Sequence, residues 1–216
     1  MPDELGLRVD TCTYEGLREG IPPLLDLFRR LRVRASFFVV MGPDRSGMAI
    51  FRAFRRRGFV GKMMRTGAVS MYGWRTLLRG TLLPAPLTGS ANAGILRRIA
   101  DEGHEVGIHG WDHVFWHDRI GTLGRGTIDH HLRRAREAFE RALGVPPRCT
   151  ASPGWVCSEE SLLAQESLQL AYASDTRGTR IFLPRVGGRV LATPQVPITL
   201  PTLDEMLGRD GVTAAN

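Results

Sequence analysis

The chain has 216 residues, of which 43% are hydrophobic and 24% charged, and its formal net charge is +7 at pH 7. These values are typical of one globular domain with a sizeable core. No apolar run approaches the roughly 20 residues of a bilayer-spanning helix, and the first ten residues lack the hydrophobic stretch of a secretory signal. Three cysteines without disulfide-like spacing, Cys12, Cys149 and Cys157, indicate a reducing compartment, and the last two are expected to be buried.

The first predicted elements alternate between strand and helix. "GLRVD" (6–10) is a short strand that ends in an acid, and "EGIPPLLDLFRRL" (19–31) is a helix with two prolines in its first turn. "ASFFVVMG" (35–42) is an uninterrupted apolar strand, the kind that is buried on both faces of a parallel sheet.

The positive charge is concentrated in the segment that follows. Residues 45–100 contain eleven Arg or Lys and no Asp or Glu. A solvated basic face, a membrane-binding surface and a nucleic-acid surface are all compatible with such a segment. The absence of any nucleic-acid recognition motif argues against the third use.

The alternation continues in the second half of the chain. A helix is predicted at 91–101, a strand at 104–110 and a long amphipathic helix at 127–144, which Thr127 is expected to cap and Gly144 to end. Further strands are predicted at 148–152, 170–175 and 195–200. The pattern predicts a parallel α/β fold, and a barrel is favoured because no Gly-rich phosphate loop follows the first strand.

Polar residues follow several predicted strands directly. Asp10 and Cys12 come after the first strand, His109 and His113 after the third, and Asp175 after a later one. In a barrel the carboxyl ends of the strands converge, so these side chains are expected to meet at one rim and to form a metal site.

The remaining four histidines are assigned other positions. His104 opens its strand at the opposite end of the sheet, and His117 is expected to face solvent or to contact a substrate. His130 and His131 lie among charged residues of the long helix, and both are predicted to be on the surface.

Five stretches carry a resemblance to a known family. In order and spacing, "LRVDTCT", "HEVGIHGWDH", "TASPGW", "YASDTRG" and "PITLPTLDE" resemble the polysaccharide deacetylase (NodB-homology) superfamily. Within it, the chain resembles the deformylases that act on undecaprenyl-phosphate-linked 4-deoxy-4-formamido-L-arabinose. The similarity extends into "VMGPD" and "SMYGW" and covers nearly the whole chain.

The resemblance implies a distorted (β/α) barrel of the NodB type and a divalent metal ion. It implies hydrolysis of a formamide on a lipid-linked aminosugar, in the modification of lipid A that confers polymyxin resistance. By motif, Asp10 corresponds to the family's general base, and His109 and His113 to two metal ligands. Asp175 and Arg177 match a further motif that is expected to tune or position Asp10, and Asp112 is expected either to orient an imidazole or to be a turn residue.

The sequence departs from the family in two respects. The family's third metal ligand is an aspartate, and the matching position here is Cys12, a softer ligand that favours zinc. Family members also continue beyond the position of Asn216 with further strands and a histidine that acts as general acid. The barrel is therefore expected to be incomplete at its C-terminus.

The basic segment gains a candidate role from this resemblance. Residues 45–80 are interpreted as an amphipathic insertion that lies on an anionic membrane, which would place the protein peripherally on the cytoplasmic face of a bacterial inner membrane. The residues expected to contact the membrane are Phe51, Phe54, Arg55, Arg56, Arg57, Lys62, Arg65 and Trp74.

Three functional hypotheses remain open at this level. The first is a metal-dependent deformylase that acts on the lipid-linked aminosugar, and the second is a general carbohydrate N-deacetylase. The third is a catalytically inactive protein that still binds the lipid-linked substrate or the membrane. The departure at Cys12 and the absent general acid favour the third hypothesis, and product assays would separate the first two.

Overall fold

A sheet of five parallel strands organises the part of the chain that the computed structural model describes, residues 5–48 and 68–206. The strands are β1 (Leu7–Thr11), β2 (Ala35–Val39), β3 (Glu105–Ile108), β4 (Cys149–Thr150) and β5 (Tyr172–Ala173). Each strand pairs with the next one along the chain. Because this order has no reversal point, it is the order of a barrel wall rather than of a doubly wound sheet, and the predicted barrel-type α/β fold is confirmed.

Helices and short turns connect the strands. The helices are α1 (Ile21–Leu31), α2 (Ala68–Leu78), α3 (Thr88–Ala91), α4 (Ala93–Asp101), α5 (His113–Arg119), α6 (Arg125–Leu143), α7 (Glu159–Glu166) and α8 (Leu203–Met206). A π-helical turn (Gly16–Gly20) precedes α1, and 3-10 turns occur at Ile120–Thr122 and Pro153–Trp155. A hairpin of β6 (Arg185–Val186) and β7 (Arg189–Val190) follows β5. Within the described ranges, no helix has the length and apolar character needed to cross a bilayer.

The ends of two predicted helices test the capping expectations. The prolines of α1 occupy its first turn, as expected, because the missing N–H groups have no intrahelical acceptor there. Gly144 ends α6 in the left-handed conformation, with φ 76°. The prediction for Thr127 is wrong: α6 begins at Arg125 and its N-cap is Gly124, so Thr127 lies inside the first turn.

The main core lies between one face of the sheet and helices α1, α4 and α6. Phe37 and Val39 of β2 point into it, and Phe38, between them, points to the opposite face. The same alternation applies to β1, where Val9 packs against this core. Arg8 and Asp10 must therefore share the other face of the sheet, because successive side chains of a strand alternate in direction.

Gly107 of β3 shows how closely that second face is packed. A Cβ atom at this position would lie 2.7 Å from Sγ of Cys149 and 2.8 Å from the ring of Phe38. These distances are shorter than van der Waals contact, so only glycine fits without displacement of its neighbours.

The predicted strand at 195–200 is present only as isolated bridges. Gln195 pairs with Ala173, and Ile198 pairs with Arg177, both in parallel orientation. Pro194 precedes the segment and Pro197 interrupts it, and each lacks the N–H group that a continuous ladder requires. The segment nevertheless extends the sheet beyond β5 and brings Gln195 next to the residues that follow β5.

Candidate metal centre and active site

Cys12, His109 and His113 form a candidate metal-binding group at the carboxyl ends of the strands. One ligand atom from each residue lies within 4.8 Å of the other two. His109 is only 1% exposed, whereas Cys12 and His113 are half-buried. Cys12 follows β1, His109 follows β3, and His113 is the first residue of α5, so the fold brings together the three residues that the sequence singled out.

The orientation of His109 leaves one ring nitrogen available to a metal ion. Nδ1 lies 2.8 Å from the carbonyl oxygen of Ala151. A carbonyl can only accept a hydrogen bond, so Nδ1 carries the proton and Nε2 presents its lone pair towards the site. The acceptor that orients this imidazole is therefore a backbone carbonyl, not the carboxylate of Asp112.

Both histidines are held neutral, which is the form that binds metals. Burial lowers the pKa of His109, and the nearby carboxylate of Asp10 offsets only part of that effect. Burial, together with the neighbouring imidazoles of His109 and His117, lowers the pKa of His113 to about 3. Neither ring must lose a proton at neutral pH before it can act as a ligand.

Asp10 lies beside this group with its carboxylate ionised. Its Oδ2 is 3.9 Å from Nε2 of His109. Burial by itself would raise the pKa of Asp10, but the guanidinium of Arg8, which is hydrogen-bonded to this carboxylate, outweighs burial and holds the pKa below its ordinary value. A carboxylate that is ionised at neutral pH can accept a proton, as the predicted general base must.

Arg8 is a site residue that the sequence analysis missed. Its Nε donates to Oδ1 of Asp10 at 2.6 Å, and a terminal nitrogen donates to Oδ2 at 2.7 Å. Its other terminal nitrogen donates to the carbonyl and hydroxyl oxygens of Ser174, which follows β5. The available signal was the spacing of two within a strand, which puts Arg8 and Asp10 on the same face.

Asp112 has a different role from the first one proposed for it. It is the N-cap of α5, where its Oδ1 accepts a hydrogen bond from the backbone N–H of Phe115 at 3.0 Å. Its Oδ2 lies 2.8 Å from the guanidinium of Arg45. The turn-residue alternative is thus the better description, and the cap fixes the start of the helix on which His113 lies.

Asp175 does not touch Asp10 but ties together the backbone around the site. The carboxylate of this fully buried residue accepts hydrogen bonds from the backbone N–H of Ser152 at 2.8 Å and from Nε2 of Gln195 at 3.0 Å. The residue before it, Ser174, contacts Arg8, so the link from this motif to Asp10 runs through Ser174 and Arg8.

Arg177 and Trp155 form a cation–aromatic stack next to the site. The guanidinium of Arg177 lies 4.1 Å from the centroid of the Trp155 ring. Glu205, for which the sequence analysis had no role, pairs with Arg177 through both carboxylate oxygens, each at 2.9 Å. The guanidinium of Arg8 approaches the same ring at 5.9 Å.

Several buried polar atoms near the strand ends have no hydrogen-bond partner among the described residues. They are the hydroxyl oxygens of Thr11, Ser152 and Thr176, and the indole nitrogen of Trp155. Unsatisfied buried polar groups are rare in proteins.

The other histidines lie outside the candidate metal group. His117 is stacked parallel to His113, and its side chain is 52% exposed, as expected for a solvent-facing residue. His104 is buried at the other end of β3, where its Nδ1 accepts from the N–H of Ala35. The surface prediction holds for His130 but is wrong for His131, which is half-buried and stacked on Phe115 at 4.6 Å.

The two remaining cysteines differ in burial. Cys149 is buried as predicted, whereas Cys157 is half-buried, and neither belongs to the metal group.

Most of the residues predicted to contact a membrane lie outside the described residues: Phe51, Phe54, Arg55, Arg56, Arg57, Lys62 and Arg65. Trp74 is described, is 59% exposed and has the guanidinium of Arg75 over its ring at 5.5 Å.

Comparison with known proteins identifies the family of this chain. A family model described as polysaccharide deacetylase matches residues 3–173. A protein of Shewanella sediminis (strain HAW-EB3), named probable 4-deoxy-4-formamido-L-arabinose-phosphoundecaprenol deformylase ArnD, is 39% identical over 99% of this chain and 68% of its own length. A protein of the same name from Wigglesworthia glossinidia brevipalpis is 31% identical over 89% of this chain and 67% of its own length.

A solved structure supports the fold independently. The crystal structure of a protein from Mycobacterium smegmatis described as a polysaccharide deacetylase superposes with a TM-score of 0.60, covers 92% of this chain and 61% of that one, and is 18% identical. At that identity the likeness concerns the fold alone. The family match over most of the chain, the two relatives and the grouping of Asp10, Cys12, His109 and His113 lead to one conclusion: the chain belongs to the polysaccharide deacetylase family.

Proposed function

We propose that the chain is a metal-dependent hydrolase that removes the N-formyl group from undecaprenyl-phosphate-linked 4-deoxy-4-formamido-L-arabinose. The observation that carries this proposal is the group of Cys12, His109 and His113 beside an ionised Asp10, in a chain that is 39% identical to a protein named as that deformylase. The resemblance further suggests that the product serves the modification of lipid A and resistance to polymyxin.

The donor set fits a divalent metal ion, and zinc in particular. Two neutral imidazoles and one thiolate are a common set of zinc ligands that leaves a fourth position open. The ligand atoms lie within 4.8 Å of one another, a spacing that small side-chain rotations can bring to bonding distance around one ion. When bound, such an ion polarises the formyl oxygen and lowers the pKa of a water molecule.

The chain's own residues account for the proton transfers of the proposed hydrolysis. Asp10 accepts the proton of the water that attacks the formyl carbon and returns it to the amide nitrogen as the C–N bond breaks, so that formate and the free amine are released.

Formate release by the purified, zinc-loaded chain tests this function. The substrate is the formamido sugar phosphate on a short polyprenyl chain, and the matching acetamide serves as the second substrate. Asp10→Asn and His113→Ala should abolish formate release, whereas His117→Ala, four residues further along α5 and outside the metal group, should retain it. Faster hydrolysis of the acetamide would favour the general N-deacetylase.

The second candidate function is a catalytically inactive protein that binds the lipid-linked substrate. The observation that favours it is Cys12 at a position where the family resemblance implies an aspartate, because a thiolate donates more charge and weakens the Lewis acidity of the ion. Saturable binding of the formamido sugar lipid without formate release, in a chain that retains zinc, would establish this alternative.

We further propose that residues 45–79 attach the protein to an anionic membrane, at the cytoplasmic face of the inner membrane. The proposal is supported by the absence of acidic residues in this segment and by the exposed Trp74 next to Arg75. Co-sedimentation should be strong with anionic vesicles, weak with neutral ones, and reduced by salt and by Trp74→Ser. Binding that does not depend on lipid charge would contradict this role.

A further inference from the structure

Arg8 makes four hydrogen bonds that connect Asp10 to the far end of the sheet. Two of them, at 2.6 and 2.7 Å, reach the two carboxylate oxygens of Asp10. The other two, at 2.7 and 2.8 Å, reach the carbonyl and hydroxyl oxygens of Ser174, 166 positions further along the chain. The Arg8 side chain is only 10% exposed and lies over the ring of Phe38 at 5.1 Å.

This arrangement determines the direction of the free lone pairs of Asp10. A carboxylate has about four lone-pair positions, and a guanidinium that binds both oxygens occupies two of them and fixes the carboxylate plane. Ser174 holds the guanidinium from the other side, so the plane depends on the position of β5 as well as of β1. A lysine could supply the charge but not this planar fork.

The same contacts keep Asp10 near the metal group but prevent it from becoming a ligand. Oδ2 of Asp10 is 3.9 Å from Nε2 of His109, so rotation of a free carboxylate would carry an oxygen to an ion held by that nitrogen. A carboxylate that ligates the ion has lost much of its capacity to accept a proton. The two hydrogen bonds from Arg8 oppose the rotation.

We propose that Arg8 is the positioning residue for Asp10: it holds the carboxylate out of the metal coordination shell and aims it at the attacking water. This inference rests on the proposed function, because it assigns a role within the same site. Arg8 acts through Asp10 and touches neither the formyl group nor the metal. A purely structural alternative is that Arg8 only ties β1 to the residues after β5.

The test compares Arg8→Gln and Arg8→Lys with Arg125→Gln, a matched change at an exposed arginine that pairs with Asp129 within α6. If Arg8 positions the base, Arg8→Gln should lower kcat by about 100-fold, the size expected for a displacement of roughly 1 Å, and leave KM within about twofold. Arg8→Lys should recover only part of the loss, and Arg125→Gln should resemble the wild type.

A spectroscopic readout makes the test independent of turnover. With Co²⁺ in place of zinc, Arg8→Gln should change the visible d–d bands, because the released Asp10 carboxylate becomes a ligand. The double variant Arg8→Gln with Asp10→Asn should return to the wild-type spectrum. If Arg8→Gln does not fold, kcat and the Co²⁺ spectrum are measured on Arg8→Lys, which keeps the charge and the packing of the side-chain stem.

The outcomes separate this inference from the proposed function. A wild-type chain that binds Co²⁺ but releases no formate removes the proposed deformylase activity, and the spectra then decide the role of Arg8. An active wild type with unchanged kcat and unchanged Co²⁺ bands in Arg8→Gln overturns the positioning role alone. If Arg8→Gln and Arg8→Lys lose the same activity, are also less stable to heat and leave the Co²⁺ bands unchanged, Arg8 has a structural role only. A wild type that binds no Co²⁺ overturns both proposals.

Discussion

Replacement of Asp175 by alanine should destabilise the fold more than most single substitutions. The carboxylate is fully buried and accepts hydrogen bonds from the N–H of Ser152 and from Nε2 of Gln195. Its removal leaves two buried donors without acceptors, at about 1–3 kcal/mol each. Because the variant no longer buries a charged group, part of this cost is offset, and we expect the free energy of unfolding to fall by about 2–4 kcal/mol.

The asparagine variant isolates the hydrogen bonds from the volume of the side chain. Asp175→Asn can still accept from Ser152, but its amide nitrogen then faces the amide nitrogen of Gln195. A flip of Gln195 does not resolve the conflict, because its Oε1 already accepts from the backbone N–H of Asp175 at 3.0 Å. One hydrogen bond is lost in either arrangement, so this variant should lose about half as much stability as the alanine variant.

Urea unfolding monitored by circular dichroism, with Asp129→Ala as the control, measures both effects. Asp129 forms an exposed ion pair with Arg125 within α6, so its loss should cost less than about 0.5 kcal/mol. For a chain of this size, each 1 kcal/mol corresponds to a shift of about 2–4 °C in Tm. If Asp175→Ala is no less stable than Asp129→Ala, or if Asp175→Asn matches the wild type, the bridging role assigned to this carboxylate is wrong.

Three further predictions concern the metal group and the sheet. Cys12→Asp should reduce the preference for zinc over harder ions such as Mn²⁺ or Mg²⁺ in competition dialysis, because a carboxylate oxygen replaces a thiolate; an unchanged preference would place the thiol outside the metal site. When the metal-free chain is unfolded at several pH values, its free energy of unfolding should fall as the pH falls from about 6.5, the ordinary histidine pKa, towards about 3. In this range the unfolded chain takes up a proton whereas His113 of the folded chain stays neutral, so the dependence should weaken in His113→Ala. Gly107→Ala should lower the free energy of unfolding by about 1–3 kcal/mol because its Cβ would overlap Cys149 and Phe38. The control Gly126→Ala on α6, with open space around the added atom, should be as stable as the wild type or more so, and equal effects of the two changes in urea unfolding would refute the packing argument.

The sequence by itself determined the fold class and the membership of the metal group. Hydrophobic periods of two and 3.6 residues are local properties, so they locate β1, β2, β3, α1, α4 and α6 to within a few residues. Cys12, His109 and His113 could be predicted to meet because each follows closely on a strand, and the carboxyl ends of parallel strands converge whatever the details of packing.

Only the tertiary structure decided which partner each polar side chain has. Arg8 and Ser174 are 166 positions apart, and no local pattern indicates that a guanidinium on β1 reaches the residue after β5. Asp175 was expected to tune or position Asp10 but binds the backbone of Ser152, and of the two roles predicted for Asp112 the structure shows the turn residue, as the cap of α5. Hydrogen bonds of this kind depend on distances of a few tenths of an ångström between elements, and these distances are set by how the helices pack on the sheet.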